Sequence, residues 1–272
     1  MMMTAHASDE LAHYIGEITI EVSRIEDIDR DRMLDTIAKH RAVSVRGLIS
    51  AESIAEAKKT IAERFDPSQD HPATGETPQD LYGNHQKFSV NGGEFRDKAY
   101  PQCLRTYYNP LFAEDRFGLH HAFRAAGRIR NILMGVHADF ALDDFEDGFW
   151  TAARVHQYPT GGGFMSMHCE DYIPRIYEEH GFENGYFQPL IVMSRKGTGP
   201  DCDYETGGGY FCRGDTKTYF EAECQLGDIL VYDTRVMHGV TEIDLAKPFR
   251  QNSTTGRYAG FVTLYRDFTR GS

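Results

Sequence analysis

The second half of the sequence, from about residue 150 onward, is a succession of short β-type segments separated by turn residues. The segments are rich in aromatic and β-branched residues, which favour strands. Eight of them can be distinguished: TAARVHQYP, FMSMHCE, YFQPLIVMS, GGYFC, KTYFEA, GDILVYD, HGVTEI and RYAGFVTLYR. Short strands at this spacing predict a β-sandwich or a β-barrel, in which every strand can be covered by a second layer.

The first half of the sequence has a different pattern. Apolar residues recur at helical spacing in 27–41, 50–65 and 117–137, and 42–50 is a β-type segment. Residues 66–115 are polar, aromatic and non-periodic. A stretch of this kind predicts a long loop with a functional role.

The length of 272 residues and a hydrophobic content of 40% are sufficient for one sizeable core. We therefore expect a single domain over 1–272. Its N-terminal part, 1–149, would consist of helices and loops, and 150–268 would form the β core. The predicted class is α+β, mainly β, with the N-terminal helices packed on the outside of the sheet.

The composition restricts the partners and the compartment. A net charge of -12, from 41 acidic and 29 basic residues, argues against nucleic acid and anionic membranes, because both require a basic face. No segment is apolar enough to span a bilayer. The first ten residues lack the pattern of a secretory signal, and the five cysteines form no C-x-x-C pair. We expect a cytoplasmic protein that is a monomer or a homodimer.

The segment YPTGGGFMSMHCED, which begins at Tyr158, carries the first candidate site residues. Side chains alternate along a strand, so His168 and Glu170 would lie on the same face and could bind one metal ion. His238, beside the apolar run DILVY, offers a third ligand. Two histidines and one carboxylate form the facial triad of non-haem Fe(II) oxygenases, which leaves coordination positions open for reactants.

The same segment resembles the strand that begins the metal site of Fe(II)/2-oxoglutarate-dependent dioxygenases. The likeness is to the prolyl-hydroxylase-like and phytanoyl-CoA-dioxygenase-like branches, which have a tyrosine, a glycine-containing stretch and then His-x-Asp. The interval of ten residues between Tyr158 and His168 matches. GGGYF, GDILVYD, HGV and GRYAGFVTLYRDF follow in the order of that family, so the resemblance covers about residues 150–268.

This resemblance implies a double-stranded β-helix (a jelly-roll, cupin-like core) and a role for each motif residue. His168, Glu170 and His238 would bind iron. Arg257 would bind the distal carboxylate of 2-oxoglutarate through its planar guanidinium, and Tyr158 would hydrogen-bond the same carboxylate. The glycine run would bend the strand and direct His168 toward the metal.

Three departures from the family pattern leave alternatives open. The carboxylate is Glu170 where Asp is commoner, and Asp171 is a competing ligand on the opposite strand face. Arg257 follows His238 by 19 residues, which is longer than the usual interval. The usual Arg-x-Ser hydroxyl is absent, since residue 259 is alanine, so Arg250 and Arg266 are alternatives to Arg257.

The resemblance implies an enzyme that uses Fe(II), 2-oxoglutarate and O2, with ascorbate as a supporting reductant. It would oxidise an unactivated C–H bond, by hydroxylation in the first instance, and release succinate and CO2. Arg154 and His156 share the strand parity of Tyr158 and are candidate substrate-binding residues. The polar loops 80–110 and 171–186 would favour a small polar substrate, such as an amino acid or a natural-product intermediate. The alternative is a cupin-like metal-binding protein, an isomerase or a sensor, without oxygenase activity.

Overall fold

The computed structural model of the chain describes residues 5–70, 85–89, 101–170 and 186–267. The helices are α1 (Ala5–Ile18), α2 (Arg30–His40), α3 (Ala51–Arg64) and α4 (His120–Met134). The strands are β1 (Thr19–Glu21), β2 (Ala42–Arg46), β3 (Gln86–Ser89), β4 (Pro101–Gln102), β5 (Leu104–Tyr108), β6 (Phe149–Pro159), β7 (Phe164–His168), β8 (Phe187–Val192), β9 (Gly208–Arg213), β10 (Thr216–Tyr219), β11 (Ile229–Asp233), β12 (His238–Thr241) and β13 (Gly256–Arg266). Among the described helices, none has both the length and the apolar character that crossing a bilayer requires.

The described strands form two sheets. The larger sheet, called here the major sheet, has the order β1-β2-β11-β8-β13-β6-β5-β3, and the minor sheet has the order β10-β9-β12-β7-β4. The strands from β6 to β13 pair only in antiparallel fashion with one another. Two sheets built from a chain that passes between them confirm the predicted mainly-β, double-stranded β-helix class.

The longest pairing joins β6 to β13 over eleven positions, from Gly256 opposite Pro159 to Arg266 opposite Phe149. Because side chains alternate across a strand, this one pairing supplies two surfaces. Val155 and Val262 belong to the core that contacts the helices. The opposite face carries the candidate site residues of β6 and the start of β13, described below.

The helices α2, α3 and α4 cover the outer face of the major sheet, as the sequence predicted. Their apolar side chains share one buried cluster with strand residues of that sheet. Members of the cluster with essentially no exposure include Ile54 and Ile61 of α3, Phe123, Ala126, Ile129 and Leu133 of α4, and Ile191, Ile229, Val231 and Val262 of the sheet. Burying one such side chain contributes about 1.5–3 kcal/mol, so this layer holds the sheet in place.

The N-terminal half also contributes structure that the sequence did not predict. The segment 66–115, expected to be a loop, supplies β3 and β5 to the major sheet. All five residues of β5 are buried, so they lack the alternating polarity by which a half-exposed strand is detected. Helix α1 differs from the other helices, because Tyr14, Ile15 and Ile18 join a second cluster with inward-facing strand residues.

Candidate active site

The two candidate histidines lie on neighbouring strands of the minor sheet. His168 ends β7, His238 begins β12, and the two are direct cross-strand partners. Their ring centroids are 4.3 Å apart. With Glu170 they offer three ligand atoms that lie within 4.8 Å of one another. The structure therefore brings together the three residues that the sequence singled out as metal ligands.

Each imidazole is oriented by a backbone carbonyl two residues earlier in its own segment. The Nδ1 of His168 lies 2.8 Å from the oxygen of Ser166, and the Nδ1 of His238 lies 2.8 Å from the oxygen of Val236. A carbonyl oxygen can only accept, so Nδ1 must carry the proton in both rings. The lone pair of each Nε2 is thereby left to bind a metal, which is the usual arrangement of histidine ligands.

Burial sets the protonation of all three groups. It lowers the pKa of His168 and lowers the pKa of His238 to about 3, so both rings are neutral at pH 7. Burial also raises the pKa of Glu170 to about 7, against the opposing effect of the Arg154 guanidinium. The Oε2 atom of Glu170 is buried and has no hydrogen-bond partner among the described residues. Two neutral imidazoles and one unsatisfied carboxylate fit a divalent first-row metal such as Fe(II).

The glycine run before His168 lies in a turn that joins β6 of the major sheet to β7 of the minor sheet. We expected a bend within one strand, whereas β6 ends at Pro159 and β7 begins at Phe164. Gly161 has a φ of 94°, a conformation that side chains other than glycine rarely adopt. The N–H groups of Gly161 and Gly162 both donate to the oxygen of Ile243. The run thus allows the chain to change sheets shortly before the first metal-ligand candidate.

Arg257 lies on the major sheet, at the start of β13, and is fully buried. It is the cross-strand partner of Tyr158, and its guanidinium carbon lies 5.0 Å from the centre of the Tyr158 ring. Its Nε donates to Glu221 at 2.6 Å. Its Nη1 atom is buried and has no partner among the described residues. A buried guanidinium with an unused donor is suited to bind a carboxylate.

The alternatives to these residues occupy different places. Arg250 is exposed, and Arg266 lies at the opposite end of β13, paired with Phe149. Of the three arginines considered, only Arg257 is buried beside Tyr158. Asp171 lies outside the described residues, as do most of the loops 80–110 and 171–186.

Arg154 and His156 share the face of β6 that carries Tyr158, as the parity predicted. The Nε of Arg154 donates to the Nε2 of His156 at 3.2 Å, and the hydroxyl of Tyr158 lies 3.5 Å from the Nδ1 of the same ring. Burial, with Arg154 nearby, lowers the pKa of His156 well below its usual value. His156 is therefore neutral and forms a polar link between Arg154 and Tyr158.

Two residues of the site were missed by the sequence analysis. Tyr232 is buried on β11, and its hydroxyl lies 3.5 Å from the Nε2 of His238. Glu221, the partner of Arg257, lies in a 3-10 helix over Phe220–Ala222 that we had read as part of the strand KTYFEA. A carboxylate inside the aromatic run TYFEA was the available signal, because a charged residue in such a run is buried only when it is paired.

Comparisons with known proteins bear on the fold. No family profile matches the sequence, and no curated protein matches it. Among solved structures, an oxidoreductase of the 2OG-Fe(II) oxygenase family from Burkholderia pseudomallei aligns over 94% of this chain and 99% of its own, with a TM-score of 0.50 and 10% identity. The chain has the fold of the Fe(II)/2-oxoglutarate oxygenases.

Two prolyl hydroxylases of known structure also align with this chain, at lower TM-scores. The enzyme from Trichoplax adhaerens, solved with a fragment of the hypoxia inducible factor, aligns over 97% of this chain and 94% of its own (TM-score 0.48, 9% identity). A prolyl-4-hydroxylase from Pseudomonas putida aligns over 88% of this chain and 100% of its own (TM-score 0.46, 14% identity). In the present chain the two candidate histidines lie on the minor sheet, Glu170 follows the end of β7, and Arg257 lies on the major sheet, so the site lies between the two sheets.

Proposed function

We propose that the protein is an Fe(II)- and 2-oxoglutarate-dependent dioxygenase. It oxidises an unactivated C–H bond of a small polar substrate, most simply by hydroxylation, and releases succinate and CO2. The observation that carries the proposal is the convergence of ligand atoms of His168, Glu170 and His238 within 4.8 Å, together with the Nη1 of Arg257, which has no partner in the described part of the chain.

The three ligand residues would hold Fe(II) through the two Nε2 atoms and the carboxylate of Glu170. When bound, the iron would supply the oxygen activation that is coupled to decarboxylation of 2-oxoglutarate. Side chains cannot supply this chemistry. Arg257 would bind the distal carboxylate of 2-oxoglutarate through its terminal nitrogens, and the hydroxyl of Tyr158 would hydrogen-bond the same group. The phenol is protonated, because burial raises the pKa of Tyr158 to about 12.

The substrate would lie against the wall formed by β6. Arg154 and His156 provide a cation and a neutral ring at this wall, and the ring of Phe261 lies 4.6 Å from that of His156. A wall of this mixed character supports a polar substrate, such as an amino acid or a natural-product intermediate. We propose that the enzyme acts in the cytoplasm, as a monomer or homodimer, and does not bind nucleic acid.

A succinate-release assay tests the proposal. Protein loaded anaerobically with Fe(II) is given 2-oxoglutarate, ascorbate, O2 and a panel of amino acids and polar metabolites. We expect His168→Ala and His238→Ala to abolish succinate formation, because each removes a metal ligand. His137→Ala is the matched control, since this side chain is 58% exposed and pairs with Glu146 away from the site. Full succinate formation by either ligand variant would refute the metal assignment.

The alternative, a cupin-like metalloprotein without oxygenase activity, shares the two histidines and the carboxylate. This alternative gives no reason for a fully buried arginine whose Nη1 has no partner among the residues that the structure describes. Calorimetric titration of the anaerobic Fe(II) protein with 2-oxoglutarate separates the two functions. The dioxygenase binds 2-oxoglutarate and loses that binding in Arg257→Ala, whereas the metalloprotein binds iron alone.

A further inference from the structure

The ion pair between Glu221 and Arg257 is the most deeply buried in the part of the chain that the structure describes. The two side chains are 2% and 1% exposed, respectively, and the Nε of Arg257 donates to the Oε1 of Glu221 at 2.6 Å. Taking two charges out of water is costly, and such a pair contributes little net stability compared with apolar residues of similar size. Its presence beside the proposed co-substrate pocket therefore calls for a functional explanation.

The other oxygen of Glu221 is held by two further donors. Its Oε2 accepts from the hydroxyl of Tyr204 at 2.6 Å and from the backbone N–H of Gly209 at 2.7 Å. Tyr204 is itself buried. The carboxylate thus has a fixed position, because one donor is a backbone N–H and the other is the hydroxyl of a buried tyrosine.

The backbone of β9 closes one side of the guanidinium. A Cβ atom at Gly209 would lie 2.6 Å from the Cζ of Phe220 and 3.0 Å from the Nη2 of Arg257. Gly209 is therefore a position where the strand approaches the arginine too closely for any side chain. Together with Glu221, it leaves the guanidinium little room to move.

We propose that Glu221, held by Tyr204 and Gly209, is a positioning residue for Arg257 that sets the length of the 2-oxo diacid accepted as co-substrate. This inference rests on the proposed function. Arginine has several rotatable bonds, and a free guanidinium could follow the distal carboxylate of a shorter or longer diacid. Because Glu221 binds Nε, Nη1, which has no partner among the described residues, remains for the ligand. A guanidinium at a fixed distance from the metal ligands selects one chain length.

Two variants test the proposal by different changes. Glu221→Gln keeps the shape of the side chain, but its NH2 group then faces another donor, either the Nε–H of Arg257 or the backbone N–H of Gly209. Tyr204→Phe removes one donor and leaves the ion pair in place. Tyr107→Phe is the matched control: it is also a buried tyrosine, and its hydroxyl donates to Gln157 at 3.1 Å instead.

The measurements are calorimetric binding of 2-oxoglutarate and 2-oxoadipate to the anaerobic Fe(II) protein, and the steady-state constants for both. We expect Glu221→Gln to weaken 2-oxoglutarate binding about tenfold, the equivalent of one lost charge-assisted hydrogen bond. Tyr204→Phe should weaken it about threefold. In both variants the preference for 2-oxoglutarate over 2-oxoadipate should narrow, and the KM for 2-oxoglutarate should rise by a larger factor than kcat falls. A merely structural role would lower the melting temperature and leave this preference unchanged.

Unchanged or tighter 2-oxoglutarate binding in both variants would overturn the inference and leave the proposed function intact. Tighter binding would mean that Glu221 acts only by offsetting the charge of Arg257. A parent protein that binds no 2-oxoglutarate overturns the proposed function and this inference together. If Glu221→Gln fails to fold, Tyr204→Phe decides the question, because it retains both buried charges.

Discussion

The two sheets of the molecule differ in how they are stabilised. The central strands of the major sheet, β8 and β11, are buried at every residue, because helices cover one face and the minor sheet covers the other. In the minor sheet, β7 has no fully buried residue. Met167 of β7 and Met237, which directly precedes β12, are 53% and 36% exposed. Yet the minor sheet carries both histidines of the candidate metal site.

The difference between the sheets assigns most of the stability to the major sheet and the two histidines of the candidate metal site to the minor sheet. The major sheet supplies most of the apolar burial and positions Arg257, Tyr158 and Tyr232 on its inner face. The minor sheet contributes less apolar burial on its outer side, where Met167 is exposed. Substitutions in the core of the major sheet should therefore lower stability, whereas substitutions of the metal-ligand candidates should lower activity.

The largest effect is expected from Glu170→Gln. The amide lacks the negative charge that a metal requires of this ligand, so bound iron and succinate formation should fall at least about a hundredfold. The melting temperature should stay unchanged or rise, because the variant removes a buried carboxylate whose Oε2 has no hydrogen-bond partner within the described ranges. Iron content, succinate release and thermal unfolding measure the three quantities. Loss of folding in this variant would contradict the separation between the two sheets.

A core substitution in the major sheet should show the opposite pattern. Ile191 is fully buried on β8, and Ile191→Ala should lower the free energy of unfolding by about 3 kcal/mol. Met167→Ala, in the exposed face of β7, is the control and should stay within about 0.5 kcal/mol of the parent. Urea denaturation of the three proteins measures the difference. Equal losses in both variants would show that the two sheets contribute similarly to stability.

The smallest effect is a pH dependence at the edge of the minor sheet, where Asp244 follows β12. Burial would raise the pKa of Asp244, but hydrogen bonds from Lys247 and from the N–H groups of Thr206 and Glu205 lower it below 3.8. A carboxylate whose pKa is depressed in the folded state adds stability above its unfolded pKa. That contribution is lost as the pH falls through the folded value.

Asp244→Asn should therefore lower the free energy of unfolding at pH 7 by about 1 kcal/mol, as when a capping carboxylate is lost. The gap between parent and variant should begin to narrow as the pH falls below about 4 and close as the pH falls through the folded pKa of Asp244. Denaturation curves across the pH range measure it, and the loss in Ile191→Ala should be the same at each pH. A gap that persists at low pH would show that Asp244 acts through packing instead of charge.

The parts of the fold that the sequence predicted are those with a strong local pattern. The segment RYAGFVTLYR lies within β13, and the three helical segments became α2, α3 and α4 with ends shifted by a few residues. The sequence also predicted that His168 and Glu170 lie together, and their ligand atoms do, although β7 ends at His168 and Glu170 follows the strand. These features depend only on neighbours along the chain, so periodicity is sufficient to detect them.

The features that were missed depend on distant contacts. Strand β5 is buried on both faces and has no alternating pattern. Glu221 is 36 residues from Arg257, and nothing local marks it as the partner of that arginine. Tyr232 continues an apolar run on β11, so its polar hydroxyl beside His238 became visible only when the two sheets were seen together.

The backbone carbonyls that orient the two imidazoles have a consequence for engineering. Each ring takes its tautomer from the backbone carbonyl of a residue two positions earlier on its own segment, and not from a side chain of β6. The surroundings of the metal can therefore be redesigned for a new compound without disturbing the two nitrogen donors. Libraries that alter substrate specificity can therefore vary residues of β6. The short segments β7 and β12, which carry the two histidines, are kept unchanged.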